Sequence, residues 1–569
     1  MFRLFTRGKK LRRSSKQLEI APDEIFLDSG NLPAFDLQQF EGRMERPISQ
    51  RTVFFTGALF LLIGLFLLSQ TWILQVYKGR AYRDLSIRNS LRSSVIFAPR
   101  GLIEDRNGVL LVSNIASENH PEYPSRRYTP LEGLAHLLGF VSYPKKDSSG
   151  VYFRQEYTGK SGVEGYYESL LAGQNGTRIT ETNVAGEIQS ESVVRAPRSG
   201  MTLSLSVDSR LQNKLFELIK NLAAQRGFSG GAAAIMNIEN GEMLALTSFP
   251  EFDSTVMSEG ENAAAIGRFN ADERQPFLDR ALDGLYTPGS IVKPFIASAA
   301  LTENIITPEK SILSTGSISI PNPYNPDKES VFKDWKAHGY VNMREAIAVS
   351  SDVYFYEIGG GFGDQPGLGI ARIKQYLELF GFGKADENNF LLDVKGTIPD
   401  PVWKAKTFNG EPWRIGDTYN TSIGQYGMQV TPMQALRATA AIANGGLLVE
   451  PTVLKDGNRG GVYSRSLGLS DDVLKVVREG MRGSVLSGTA ANLNIGSVAV
   501  AAKTGTAELG TRKQYVNSWV EGFFPYENPK YAFVVLVEHG PHDNTVGALF
   551  VFRQFLDWLS SEVPEYLQR

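Results

Sequence analysis

The stretch YTPGSIVKPFIASAALTE, residues 286–303, reads as a turn opening into a helix: Pro288 and Gly289 break the chain, and small and apolar residues follow from Ser290. Ser290 and Lys293 are three positions apart, so on a helix they share a face and the amine can stand beside the hydroxyl. Pro294 is tolerable because the helix is just beginning. Such a start also brings backbone N–H groups and the positive dipole end near the serine, favouring an alkoxide or a developing oxyanion. A serine hydroxyl is scarcely ionised at neutral pH, and a lysine can deprotonate it only where burial and neighbouring cations depress the amine. A second positive group is therefore required nearby.

One candidate is Lys503, in VAVAAKTGTAE, residues 498–508, where a strand of small and branched residues delivers Lys503, Thr504, Gly505 and Thr506. Glycine at 505 lets a substrate backbone lie close to the strand edge, and the two threonine hydroxyls can hold a carboxylate. A third element, REAIAVSSDVYFYEIG at residues 344–359, places Ser350, Ser351 and Asp352 at the head of a helix; by itself this trio reads as an ordinary N-cap. Other short patterns fail on context. Ser142/Lys145 encloses Tyr143-Pro144, which breaks a helix, and Ser330/Lys333 sits in a Pro/Asn/Asp-rich loop. Gly227-Phe228-Ser229-Gly230-Gly231 fits a nucleophile elbow, but its helix precedes and its strand follows, the reverse of what that motif needs. Lys160-Ser161-Gly162 imitates the Lys503 motif yet lies upstream of Ser290; its P-loop reading lacks the first glycine, where Arg154 stands. His539-Gly-Pro-His542 reads as a loop rather than a metal site.

The chain has 569 residues, with 59 Lys+Arg against 61 Asp+Glu, and no cysteine. The balanced charge gives no electrostatic case for nucleic acid. Without cysteine there is no disulfide, thiolate zinc site or Cys nucleophile, so covalent chemistry falls to Ser, Thr, Lys or a carboxylate. Residues 52–77 carry no charged side chain and as a helix would reach about 39 Å, against a hydrocarbon core of roughly 30 Å. The run ends at Lys78-Gly79-Arg80 without a small-residue cleavage site, so it reads as a span rather than a signal peptide. The basic cluster FRLFTRGKKLRRSSK near the N-terminus favours that end inside.

Four segments follow: a cytoplasmic tail at 1–51, a transmembrane anchor at 52–77, a mixed, β-rich pedestal at 78–204 and a catalytic domain at 205–569. In the pedestal, Asn107-Gly108 between apolar runs signals a hairpin. In the last segment, Asp208 or Ser209 caps a helix with Leu211, Leu215, Leu218 and Leu222 at helical spacing, closed by Gly227. A hairpin with an Asn240-Gly241 turn follows, then a mainly helical middle, two strands (SWVEGFF, YAFVVLVEH) and a final amphipathic helix. This pattern predicts one α/β (α+β) domain whose antiparallel sheet is built from both ends and flanked by helices.

Ser290-x-x-Lys293, Ser350-x-Asp352 and Lys503-Thr504-Gly505, in that order, resemble the motif set of the penicillin-interacting serine enzymes. The chain is similar to a class B penicillin-binding protein through APRGLIEDRNG, GKSGVEGYYE, LSVDSRLQ and SIGQYGMQVTPMQ as well. Asp352, where the family usually has Asn, and FKDWKAHGYVNMREA resemble the penicillin-binding protein 2 branch, which works in side-wall elongation. Tyr426 stands where the family usually has Gly.

The resemblance implies a D,D-transpeptidase that cross-links peptidoglycan stem peptides ending in D-Ala-D-Ala, and that β-lactam antibiotics acylate. Ser290 is then the nucleophile, Lys293 its base, Ser350 the proton relay, Asp352 the orienting carboxylate and Lys503 the charge that keeps Lys293 neutral. Thr504, Gly505 and Thr506 bind the donor, and the N–H groups of Ser290 and Thr506 form the oxyanion hole. The implied partners are a membrane glycosyltransferase of the shape, elongation and division family and elongation scaffold proteins. No cofactor is implied. Some relatives carry a metal near the Asp334/His338 region, but without cysteine the ligand set is incomplete and no metal is expected. The alternatives are a division-type class B enzyme, a D,D-carboxypeptidase, a β-lactamase, and a non-catalytic scaffold or β-lactam sensor.

Overall fold

The computed structural model describes residues 48–567 apart from 118–119, 184, 186, 323, 387, 393, 456–463 and 511. Nearly all of the expected tail, with its basic cluster, lies outside the described residues. The described residues up to Ser90 form one unit and those from Leu91 onward a second.

In the first unit, α1 (Gln50–Trp72) starts at Ser49, whose hydroxyl accepts the N–H of Thr52, and runs through a wider turn, Ile73–Tyr77. The most apolar 18-residue window within residues 50–77 has a mean hydropathy of 2.3, and none of α1 is buried. Among the described residues this is the one helix long and apolar enough to cross a membrane. The polar α2 (Gly79–Ser90) follows.

The second unit opens with two small sheets. Strands β1 (Leu91–Ile96), β2 (Ile103–Glu104), β3 (Leu110–Ile115), β4 (Ser125–Tyr128), β5 (Gly176–Thr182), β6 (Ile188–Arg195) and β7 (Leu203–Ser204) pair in the orders β1-β5-β6 and β7-β2-β3-β4. The expected turn joins β2 to β3: Asp105 Oδ1 accepts the N–H groups of Asn107 (2.8 Å) and Val109 (2.9 Å), and Gly108 takes φ +80°. Two stretches that carry the family resemblance meet in an ion cluster here. Arg100 Nε and Arg126 Nη2 each lie 2.6 Å from the Glu164 carboxylate, with all three side chains fully buried.

Asp208 caps α3 (Ser209–Arg226), and Gly227 ends it in the left-handed region at φ +72°. The hairpin β8 (Gly230–Asn237) and β9 (Met243–Phe249) comes next. The helical middle includes α4 (Lys293–Thr302), α5 (Met343–Val349), α6 (Asp352–Gly360), α7 (Pro432–Ala443) and α8 (Asp471–Ser487). Strands β10 (Ala501–Leu509), β11 (Tyr515–Phe524) and β12 (Tyr531–Pro541) then precede α9 (Ala548–Glu562). The antiparallel sheet runs β9-β8-β12-β11-β10, so strands from both ends of the segment build it.

Alternation along these strands makes two cores. Ala501, Trp519, Phe523 and Val534 face Phe295, Ile347 and Leu436 of the helical middle. Ala502, Val520, Phe533 and Val535 face Leu215 of α3 and Phe552 of α9. Each such fully buried large side chain contributes roughly 1.5–3 kcal/mol. Two loop expectations are corrected. Ser330 and Lys333 lie on a strand, Asn325–Lys333, hydrogen-bonded to Ser317–Asn322, and His539–Pro541 close β12; strand pairing overrides the turn-like composition in both.

Candidate active site

Ser290 does not open an α-helix directly. It sits in a 3₁₀ turn, Gly289–Val292, that tightens the entry to α4, so Lys293 is the first α-helical residue. Backbone contacts fix this turn. Gly289 takes φ +58° and donates its N–H to Gly424 O at 3.0 Å. A Cβ at Gly289 would lie 2.8 Å from Thr506 O, and one at Gly424 2.2 Å from Gly289 O. At Gly505 a Cβ would meet Ile291 Cγ2 at 2.8 Å and Pro288 O at 2.9 Å. The missing side chain at 505, expected to leave space for a substrate backbone, thus lets β10 lie against the nucleophile turn.

Lys293 is fully buried. Its amine donates to Asp352 Oδ1 (2.6 Å), Ser350 O (2.8 Å) and Ser350 Oγ (3.2 Å), which uses all three donors of an ammonium and leaves none for Ser290 in this state. Lys503, also fully buried, donates to Ser350 Oγ and to Thr504 O, both at 2.8 Å. Burial, with the Lys293 charge second, pushes the Lys503 amine well below its ordinary range, while Asp352 and Glu521 act in the opposite direction. Two amines therefore converge on one hydroxyl oxygen. With both lone pairs engaged, the Ser350 proton is left free to point into the cleft.

The expected helix head at Ser350, Ser351 and Asp352 is divided between two elements. Ser351, rather than Ser350, caps α6, its hydroxyl accepting the N–H of Tyr354. Ser350 ends α5 in the left-handed region at φ +59°, which frees its side chain for the two lysines. That conformation costs a non-glycine residue roughly 1–2 kcal/mol. Asp334 anchors the head of α6: its Oδ2 accepts the Ser351 hydroxyl (2.8 Å) and the Val353 N–H (3.0 Å). Burial pushes the Asp334 carboxyl up, but backbone N–H groups, the Ser351 hydroxyl and the Lys293 charge hold it below its ordinary value. Nothing in the sequence marked Asp334 for this work.

The Asp334/His338 region does not fit a metal. Asp334 Oδ2 is engaged by Ser314, Ser351 and Val353, Oδ1 accepts the Trp335 N–H at 2.8 Å, and His338 Nε2 lies 3.4 Å from Oδ1. Among the described residues no group of three or more His, Asp or Glu converges as metal ligands would.

Ser290, Ser350, Asp352, Thr504 and Thr506 all line one cleft of about 1080 Å³. Thr504 Oγ1 bonds to Thr489 Oγ1 at 2.7 Å, another partner the sequence did not suggest. Tyr426 forms part of the wall. It adopts φ +63°, a conformation glycine reaches without strain, and is held there by Trp403, Trp413 and Phe408, with ring centroids 5.8, 5.8 and 6.2 Å away. Lys404 Nζ lies 5.7 Å from the ring centroid.

The penicillin binding protein transpeptidase domain model matches residues 231–557, and the penicillin-binding protein dimerisation domain model matches 117–205. The peptidoglycan D,D-transpeptidase MrdA of Haemophilus influenzae is 29% identical over 508 residues, covering 80% of this chain and 75% of that protein. MrdA of Acinetobacter baumannii is 28% identical over 620 residues, covering 91% and 88%. Among solved structures, Pseudomonas aeruginosa penicillin-binding protein 2 in complex with WCK 5153 superposes with a TM-score of 0.65 at 31% identity, covering 82% of this chain and 98% of the other. Helicobacter pylori penicillin-binding protein 2, in complex with MreC, gives a TM-score of 0.67 at 27% identity, covering 83% and 98%. With a transpeptidase model spanning more than half of its length and the matching three-motif cleft, the chain belongs to the penicillin-binding protein transpeptidase family, in the penicillin-binding protein 2 branch.

Proposed function

We propose that this chain cross-links peptidoglycan stem peptides as an elongation-type D,D-transpeptidase, through an acyl-enzyme on Ser290. The observation that carries the residue assignment is the Ser350 hydroxyl, bound by Lys293 at 3.2 Å and Lys503 at 2.8 Å on the cleft that also holds Ser290.

In the first half-reaction, Ser290 Oγ attacks the carbonyl carbon between the two terminal D-alanines as Lys293 takes its proton. The N–H groups of Ser290 and Thr506 stabilise the oxyanion. Collapse breaks the C–N bond, and the departing D-alanine amine takes the Ser350 proton, which the Lys293 ammonium replaces. In the second half-reaction an amine from a neighbouring stem attacks the acyl carbon, its proton leaves by the same route, and Ser290 Oγ is reprotonated. Asp352 orients the Lys293 amine, and Thr504 and Thr506 hold the donor carboxylate. Lys503 supplies positive charge to the network. A β-lactam acylates Ser290 as a mimic of the donor.

The four segments 1–51, 52–77, 78–204 and 205–569 act as tail, anchor, pedestal and catalytic domain, with the N-terminus cytoplasmic and the catalytic domain outside. The Helicobacter pylori relative was solved with MreC, and a similar chain (TM-score 0.69, 26% identity, 88% of this chain and 97% of the other) forms part of a peptidoglycan synthase complex that coordinates polymerization and crosslinking. The same two partner classes, a scaffold and a membrane glycosyltransferase, suit the pedestal and span here.

A fluorescent penicillin should label the wild type and leave Ser290→Ala unlabelled, with the adduct mass on the peptide containing Ser290. Equal labelling of the two proteins overturns the assignment.

A further inference from the structure

Glu521 is fully buried on the functional face of the sheet, and the mechanism above does not use it. In the β10–β11 ladder it stands directly opposite Lys503, flanked by the pairs Ala501–Phe523 and Gly505–Trp519 on the same face. Directly opposed residues bring their Cβ atoms to about 4.5–5.5 Å, so the two side chains leave the same face of the sheet side by side, and Lys503 reaches Ser350 Oγ. Neither carboxylate oxygen has a hydrogen-bond partner among the described residues. On β12 the opposite residue is Val534, which is apolar. From α7 comes Thr439, whose hydroxyl also lacks a partner at normal geometry. Helix α9 packs on the other face. Helix α8 also packs on β10, but its Arg478 and Arg482 turn to Ala443 O (3.3 Å) and Val500 O (2.8 Å); the charged groups that act on the pair are Lys293 from α4 and Asp352 from α6, through their contacts around Lys503 and Ser350.

A lone carboxyl at such a site goes neutral, and so does a lone amine. Side by side, each lowers the cost of ionising the other. Burial pushes Glu521 well above the ordinary carboxylate range, with Lys503 drawing it back, and Glu521 in turn favours the charged form of Lys503 against burial and the repulsion of Lys293.

We propose that Glu521 is a positioning residue for the transpeptidase reaction: a buried counter-charge that, together with Asp352, favours Lys503 as an ammonium donor to Ser350 Oγ, acting through its field and not by contact with substrate. This rests on the acyl-transfer reading. Its consequence is a pH range. The ammonium favours the hydrogen bond that leaves the Ser350 proton facing the cleft, and Glu521 extends the conditions under which that ammonium persists.

The test is the second-order rate of Ser290 acylation by a fluorescent penicillin from pH 5 to 10, on the full-length protein. In Glu521→Gln the alkaline limb should move to lower pH by about one unit, the lower end of what a close opposite charge produces. Glu521→Val should show the same displacement, and Glu521→Asp, which keeps the charge, should return most of it. Thermal melting establishes that each variant is folded, and the rate below the limb should stay within about threefold of wild type. A Glu521→Gln or Glu521→Val protein that folds and titrates with the wild-type limb overturns the proposal while leaving the acyl-enzyme reading intact. Failure of the wild type to acylate at Ser290 overturns both.

Discussion

Replacing Ser350 by alanine separates its chemical role from its structural one. Structurally, the change removes one acceptor shared by two amines. Lys293 keeps Ser350 O at 2.8 Å and Asp352 at 2.6 Å, whereas Lys503 keeps only Thr504 O at 2.8 Å. The loss on the Lys503 side is that of an unsatisfied buried donor, about 1–3 kcal/mol of stability. The left-handed backbone at 350 is as strained for alanine as for serine, so no relief offsets it. Chemically, the change removes the proton path to the leaving amine. A positioned acid–base group contributes roughly 10²–10⁴-fold, equivalent to about 3–5 kcal/mol of barrier. Stopped-flow acylation by a fluorescent penicillin, followed by D-alanine release from a pentapeptide donor, should both fall by that factor, with the melting temperature reporting the stability loss separately. An acylation rate within about tenfold of wild type would show that the proton does not travel through Ser350. A fall in rate matched by failure to fold would be recognised in the melt, and Ser350→Thr, which keeps the hydroxyl, should then recover much of the activity.

Two further outcomes follow from carboxylates outside the cleft, one fully buried and one half-buried. Glu164→Ala leaves Arg100 and Arg126 buried without their shared partner and should cost about 3–5 kcal/mol, read as a lowered denaturant midpoint; a loss below 1 kcal/mol would mean that the two arginines find other acceptors. Glu251, whose carboxylate accepts the N–H groups of Gly133 (2.7 Å) and Ala135 (2.9 Å), is pushed up to about 7 by burial against an ordinary value of 4.5. Because the folded value is the higher one, the stabilisation is complete below about pH 4.5 and is lost as pH rises through about 7, by at most about 3 kcal/mol. Melting temperature should therefore fall more steeply from pH 5 to pH 8 in wild type than in Glu251→Gln, and parallel curves would refute this.

The proposed nucleophile and both lysines stood out because each sits in a local pattern with a chemical reason, i,i+3 spacing or a small-residue strand, whereas Ser350 and Asp352 read locally as an ordinary helix head and took their roles from the family resemblance. The sheet was legible from hairpin turns and alternation at both ends of the segment. What escaped depends on register and packing between distant parts of the chain. Glu521 is 18 positions from Lys503 and meets it only because the β10–β11 pairing sets them opposite. Asp334 and Thr489 reach the motif residues from loops whose sequences carry no local signal for these contacts. Of the three residues expected at the helix head, Ser351 is the cap and Ser350 is not, because a one-residue break in left-handed geometry separates α5 from α6. Tyr426 was noticed as unusual, but its meaning depends on three aromatic rings that only the folded chain gathers.

The nucleophile turn is clamped by main chain on two sides, with Gly289 against Thr506 O and Gly424 against Gly289 O. The wall around it is made of side chains. These two layers can change independently. Substitution along the wall, at Tyr426 or its aromatic neighbours, alters which bulky acyl donors gain access, while the serine stays registered to β10 by close main-chain contacts remote from that wall. An inhibitor that derives its affinity from the clamp therefore has fewer single-residue escape routes than one that leans on the wall.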